Sequence, residues 1–113
     1  MPTYRYHWTH RSNLSSIAAS GLDPQYARGR MRVVWTCGAA RILWAISHVS
    51  SHHQCSPDDM VLLRVRVDGL SLRRTSWPDV LVSDARIAPS RIVVRDSVLS
   101  SRWTSLRRYR SGQ

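Results

Sequence analysis

Tyr6-His7-Trp8-Thr9-His10-Arg11-Ser12-Asn13-Leu14, continuing through Ile17 to Gly21-Leu22, is the stretch that decides the fold. Arg5 to Thr9 mixes aromatic and β-branched residues, which predicts a strand. Ser12 or Asn13 offers a short polar side chain suited to capping a helix N-terminus. Leu14, Ile17 and Ala18 recur at i, i+3 and i+4, one apolar face of a short helix. Gly21 suits the left-handed position that ends such a helix, and Pro24 follows soon after. The chain therefore opens with a strand presenting His7, a turn, and one amphipathic helix. A histidine at a strand end beside a helix N-terminus is well placed to hold a polar ligand.

Beyond Pro24 the pattern alternates and then settles into strands. Met31 to Trp35 reads as a second strand, and Ala39 to His52 as a second helix with Ile42, Ala45 or Ile46, and Val49 on its apolar stripe. Met60 to Val67 is a third strand, with Arg64 and Arg66 on one face. Asp68-Gly69 signals a turn. Asp79 to Val82 and Arg91 to Val94 are two more short strands, separated by Pro89. The order predicts an α+β domain: split, mostly antiparallel β-sheets with two helices inserted early. Residues 1–95 form that domain, and 96–113 read as a basic C-terminal extension, either a short amphipathic helix or a disordered arm.

Composition narrows the partners. The 113 residues carry a net charge of +10 from 17 basic and 7 acidic side chains. Every basic residue is arginine and every acidic one aspartate; the chain holds neither lysine nor glutamate. An arginine-rich surface attracts phosphate and other polyanions, so nucleic acid is the leading partner and an acidic protein the alternative. Arg64, Arg66, Arg102, Arg107, Arg108 and Arg110 are the candidate nucleic-acid contacts, with Trp103 and Tyr109 interleaved for stacking. The bland alternative is a solvated strand face and a solvated terminus. No run of about 18 apolar residues is present, and the N-terminus lacks an apolar leader core, so a cytoplasmic protein without membrane segments is expected. Cys37 and Cys55 are then expected as free thiols.

Three motifs in order resemble the ADP-ribosyltransferase superfamily, in the branch of poly(ADP-ribose) polymerases, diphtheria-like toxins, DNA-modifying ADP-ribosyltransferase toxins and RNA 2′-phosphotransferases. The first is Tyr6-His7-Trp8-Thr9 with Asn13-Leu14, Ile17 and Gly21-Leu22. The second is Val33-Val34-Trp35-Thr36 before a helix. The third is Asp79-Val80-Leu81-Val82 followed by Ile87-Ala88-Pro89-Ser90-Arg91-Ile92. The resemblance spans roughly residues 4 to 95. It implies NAD bound in a cleft between two small sheets, by His7, Trp8, Thr9, Asn13, Trp35 and Thr36. In that reading His7 positions NAD, Trp35 stacks on nicotinamide, and Asp79 occupies the place of the usual catalytic glutamate. His7 and Asp79 are the catalytic candidates. The implied activity is NAD-dependent transfer of ADP-ribose to a nucleic-acid or protein acceptor, with release of nicotinamide. Small members of this kind often act as toxins or effectors, which adds a neutralising protein to the expected partners. Aspartate is one methylene shorter than glutamate, and a displacement of about 1 Å is worth about a hundredfold in rate.

Two other functions stay open. One is a non-catalytic, arginine-rich nucleic-acid or protein-binding module on the same fold. The other is an RNA 2′-phosphotransferase-like activity, in which Arg5, Arg64 and Arg66 would clamp phosphate. His48 and His52 stand at i, i+4 on the second helix, near His53 and Cys55, with Cys37 elsewhere. This matches no familiar zinc spacing, and histidines at a helix C-terminus also suit the helix dipole. No metal is expected.

Overall fold

The computed structural model describes residues 2–26, 32–95 and 102–110. Seven strands form one sheet in the order β4-β5-β2-β1-β3-β6-β7. The strands are β1 (Tyr4–His10), β2 (Val34–Cys37), β3 (Met60–Arg66), β4 (Arg73–Arg74), β5 (Val80–Ser83), β6 (Ile92–Arg95) and β7 (Thr104–Ser105). Every neighbouring pair runs antiparallel. Helices α1 (Leu14–Ser20) and α2 (Ile42–His53) are inserted early, as the element order predicts.

The strands form one continuous sheet rather than the separate split sheets expected, because β1 also pairs with β2; within it lie two well-paired blocks. In one, β1 and β3 pair along their full length, from Tyr4↔Arg66 to His10↔Met60. In the other, β2 and β5 pair from Val34↔Ser83 to Cys37↔Val80. The blocks meet at one registered pair, Tyr6↔Cys37. Between β1 and β2 the backbone ladder is therefore nearly absent, and side chains must satisfy what it leaves.

Side-chain alternation along β1 and β3 feeds two cores on opposite faces. On one, Val61, Leu63 and Val65 join Ile92, Val94, Val34 and Ile87 beneath Leu14, Ile17 and Ala18 of α1. On the other, Trp8, Met60 and Leu62 pack with Ala45, and with the partly buried Ile42, Ile46 and Val49 of α2. β3 lies under both helices, which explains its near-continuous apolar run. After α1, Gly21 turns the chain at φ 81°, and a Cβ there would overlap the Ile87 carbonyl. The Leu22↔Ile87 bridge follows at once.

Several boundaries differ from the sequence reading. The cap before α1 is His10, whose ring accepts from the Ser12 amide at 3.1 Å. Asn13 makes no cap bond; it donates to Thr9 Oγ1 instead, at 3.1 Å. β2 starts at Val34 rather than Met31, because its partner β5 offers only four residues; Met31 lies outside the described residues. β5 starts at Val80 rather than Asp79, since Asp79 has φ 55° and cannot be extended. The short strands β4 and β7 lack an apolar alternation that would reveal them.

The C-terminal residues are the largest correction. Over Thr104–Tyr109 they are not a disordered arm, and the short amphipathic helix of the other reading is confined to the 3-10 turn Leu106–Tyr109, which buries Leu106 and exposes Arg107 and Arg108. Thr104 and Ser105 extend the sheet beside β6, and Leu106 is buried in the α1-side core. Residues 96–101 and 111–113 lie outside the described residues. Because Leu106 is 3% exposed, Leu106→Ala should cost about 2–5 kcal/mol. The expected result is a lower urea midpoint at unchanged slope; an unchanged midpoint would mean that this segment does not contribute to the core.

Candidate functional site

Where β1 and β2 diverge, Arg5 and His7 of β1 reach across the gap. Arg5 donates from Nε to Thr36 Oγ1 at 2.9 Å, and Thr36 Oγ1 donates onward to the Leu81 carbonyl at 2.9 Å. The Arg5 guanidinium also donates to the Asp79 carbonyl at 2.8 Å and to Asp79 Oδ1 at 3.2 Å. One side chain thus joins β1, β2 and the turn before β5. Two residues along, His7 Nδ1 lies 2.6 Å from the Trp35 carbonyl. A carbonyl can only accept, so this bond requires the Nδ1–H form of the ring. His7 therefore does in the gap what a backbone amide does in a continuous ladder.

Asp79 is held from several sides. Its carbonyl accepts from the Gly38 amide at 3.3 Å. Gly38 approaches so closely that a Cβ there would overlap the Asp79 carboxylate. Trp77, two residues earlier, packs on the outer face of α2 against Trp44 at 5.4 Å and His48 at 5.5 Å between ring centroids. The turn carrying Asp79 is thus tied to α2 by aromatic contact and to β1 by Arg5. The Arg5 side chain is 11% exposed and that of Asp79 46% exposed, so the pair presents its carboxylate to solvent.

The sequence-predicted residues divide on this frame. His7, Thr36 and Asp79 come together around the gap, and Trp35 joins them only through its backbone carbonyl. Thr36 is buried and Trp35 half-buried. Thr9 is also buried and is joined to the half-buried Asn13, nearer α1. Trp8 points to the other face: it is 5% exposed, and its indole nitrogen donates to the Ile42 carbonyl at 2.9 Å. Its ring ties α2 to β1. By alternation from the Tyr6↔Cys37 pair, Trp35 lies on the α2 side and His7 on the α1 side. Arg5, read from sequence as a phosphate clamp, has its guanidinium committed within the protein.

Sequence reasoning offered Arg5 as a phosphate clamp and did not single out Gly38, whereas the structure places both against Asp79. A period of two along β1 puts Arg5, His7 and Thr9 on one face, which is the signal that links Arg5 to His7. Nothing local pairs Arg5 with Asp79, 74 residues away.

The arginine candidates also divide. Arg64 is sandwiched between the rings of Tyr4 and Trp103, at 4.6 and 4.8 Å from their centroids. Arg66 is exposed and paired with Asp68 at 3.3 Å. Arg102, Arg107, Arg108 and Arg110 are exposed. Among the described residues no three His, Cys or Asp side chains converge as metal ligands. No described helix is long and apolar enough to cross a membrane.

Cys37 is buried next to this site, and burial pushes its thiol up to about 11, against the opposing pull of Arg5 and with a smaller push from Asp79. The thiol is therefore protonated at neutral pH and unsuited to nucleophilic chemistry.

No protein-family model matches the chain. No curated protein matches it significantly either.

Two outcomes follow from the gap. Arg5→Met keeps the aliphatic stem but removes the donors to the buried Thr36 hydroxyl and to the Asp79 carbonyl, and should lower stability by about 1–3 kcal/mol in urea unfolding. With a thiol-specific disulfide reagent near pH 8, the folded protein should titrate as one fast thiol, the half-buried Cys55, and as two in urea. Rapid modification of Cys37 in the folded state would contradict its burial.

Proposed function

We propose that the protein is an NAD-dependent transferase that moves ADP-ribose to an acceptor, with nucleic acid as the favoured acceptor class, and that Asp79 supplies the carboxylate for it. The observation that carries this reading is the convergence of Arg5, Thr36 and Asp79 where the two sheet blocks part, with His7 beside them. It is supported by the order of the three sequence motifs.

The chemistry asks for what this cluster offers. Loss of nicotinamide from NAD leaves an oxocarbenium-like ribose, which a fixed carboxylate stabilises as charge develops. Asp79 is fixed by Arg5, Gly38 and the Trp77 packing, and its carboxylate is half-exposed. Its Oδ1 lies 3.2 Å from the Arg5 guanidinium, which holds the carboxylate in place. Aspartate is shorter than glutamate, but a turn residue at positive φ is set by its backbone, and the backbone here is clamped. His7 would orient the dinucleotide, with the acceptor oxygen or nitrogen attacking ribose C1 as nicotinamide leaves and losing its proton to solvent; the Trp35 ring, on the opposite face of the sheet, would take no part.

The second reading, a non-catalytic arginine-rich binding module, is favoured by a different observation. Arg5, His7 and Thr36 all satisfy internal hydrogen bonds that the split sheet needs for its own integrity. An RNA 2′-phosphotransferase-like reaction loses support, since the Arg5 guanidinium is already occupied by Asp79 and Thr36.

The two readings separate by nicotinamide release from NAD, measured with and without added DNA, RNA or cell lysate. The transferase should release nicotinamide, and Asp79→Ala should lower the rate about a hundredfold or more while leaving the fold intact. His7→Gln, which retains a donor for the Trp35 carbonyl, tests positioning of NAD without opening the gap. Absence of both release and NAD binding in folded protein would overturn the transferase reading in favour of the binding module.

A further inference from the structure

On the α2 side of the sheet, β1, β3 and β6 extend past the part that the helix covers. Alternation brings Tyr4 and Tyr6 of β1, Arg64 and Arg66 of β3, and Arg95 of β6 to this face. Trp103, just before β7, packs on the same side. The result is a ladder of alternating rings and guanidinium groups. Arg64 lies between Tyr4 and Trp103, Arg95 stands 5.7 Å from the Trp103 centroid, and Tyr6 stands 6.1 Å from it.

Asp68 pairs with Arg66 at the edge of this ladder, but not with its centre. Among the described residues neither Arg64 nor Arg95 is in an ion pair. Their Nε atoms are buried and have no hydrogen-bond partner among those residues. Cation–π contact holds both groups in place, but it supplies neither a hydrogen-bond acceptor nor a negative charge. Two guanidinium groups sharing one ring repel each other until an anion comes between or beside them. A desolvated donor without an acceptor is costly, and an oxyanion is the group that would satisfy both its hydrogen bond and its charge.

The rings specify more than a lone phosphate. Tyr4 is 42% exposed at the outer end of the ladder. A flat ring beside an unneutralised guanidinium is the pairing that takes one base and one phosphate of an unpaired strand. Bases inside a duplex are stacked on each other and cannot reach such a face. We propose that the face formed by Tyr4, Arg64, Arg95 and Trp103 is a binding site for single-stranded nucleic acid. Trp103 shifts off Arg64 and Arg95 as phosphate oxygens take up their Nε–H groups, and Tyr4 stacks on an adjacent base. The site lies across the sheet from Arg5 and Thr36, so it does not rest on the transferase reading.

The test is fluorescence anisotropy without NAD, using dye-labelled thymidine and uridine oligomers of about 15 nucleotides, near the upper end of such site sizes. A duplex of equal length serves as comparison. Wild type should bind the single strands more tightly than the duplex. Tyr4→Ala should weaken single-strand binding about tenfold. Arg64→Gln with Arg95→Gln should lower the slope of log affinity against log salt by about 1.4, the share of two phosphates on a single strand. Arg74→Gln, an exposed arginine on β4 at the far edge of the sheet, should change the slope by no more than about 0.7 and leave duplex discrimination intact. Equal affinity for duplex, or an unchanged slope in the folded double variant, would overturn the proposal. Should the double variant not fold, ultraviolet crosslinking of wild type to the same oligomer decides. Adducts on peptides carrying Tyr4 or Trp103 support the site, whereas adducts confined to Trp44 or Trp77, or no binding at all, overturn it.

Discussion

The guanidinium of Arg5 is the joint on which the two halves of the sheet depend. The central pairs β1–β3, β3–β6 and β2–β5 hold each other through ladders of four to seven residue pairs, but β1 and β2 share a single registered pair. Without a side-chain bridge, the carbonyls of Trp35 and Asp79 and the buried hydroxyl of Thr36 would lack part of their hydrogen bonding. Arg5 suits the task because its planar fork offers five donors from one rigid group. It reaches two elements at once, and its charge is compensated by the carboxylate it holds. Lysine at this position would offer a single mobile nitrogen and could not span both partners.

This joint links architecture to chemistry. A sheet that splits must leave polar backbone groups at the seam, and polar groups at a seam are what a polar ligand can compete for. The same residues are therefore both the cement of the fold and the candidate site. Any ligand entering here exchanges internal hydrogen bonds for external ones, and its affinity reflects the difference. Aromatic packing of Trp77 on α2 and the close approach of Gly38 limit how far Asp79 can move in response. The site is consequently stiff, which suits electrostatic stabilisation of a short-lived cation.

The opposite face follows a different logic. There, Arg64 and Arg95 are positioned by stacking on rings, and among the described residues neither is paired with an aspartate. A chain with 17 arginines and 7 aspartates cannot pair them all. It places its aspartates at Arg5, Arg66 and Arg73, and it leaves the Arg64–Trp103–Arg95 ladder with its charge uncompensated among the described residues. Charge excess by itself says only that polyanions are attracted. The rings and guanidinium groups along adjacent strands are what add shape to that charge.

The elements themselves were legible from residue patterns, because they depend on local periodicity. The period of 3.6 in Leu14, Ile17 and Ala18, the stop at Gly21 and the apolar run of Met60 to Val65 each report on burial by elements close in sequence or on backbone preference. The α+β class and the place of His7 on the first strand follow from the same signals. The pairings were not legible. Arg5 meets Asp79 across 74 positions, Trp8 turns into the α2 core while its neighbour His7 turns toward β2, and Leu106 enters a core built mainly by residues far earlier in the chain. Alternation states that neighbours face opposite ways but not which way is inward. Only sheet order and register decide that, because they set which faces the helices cover and where the ladder gives way to side chains.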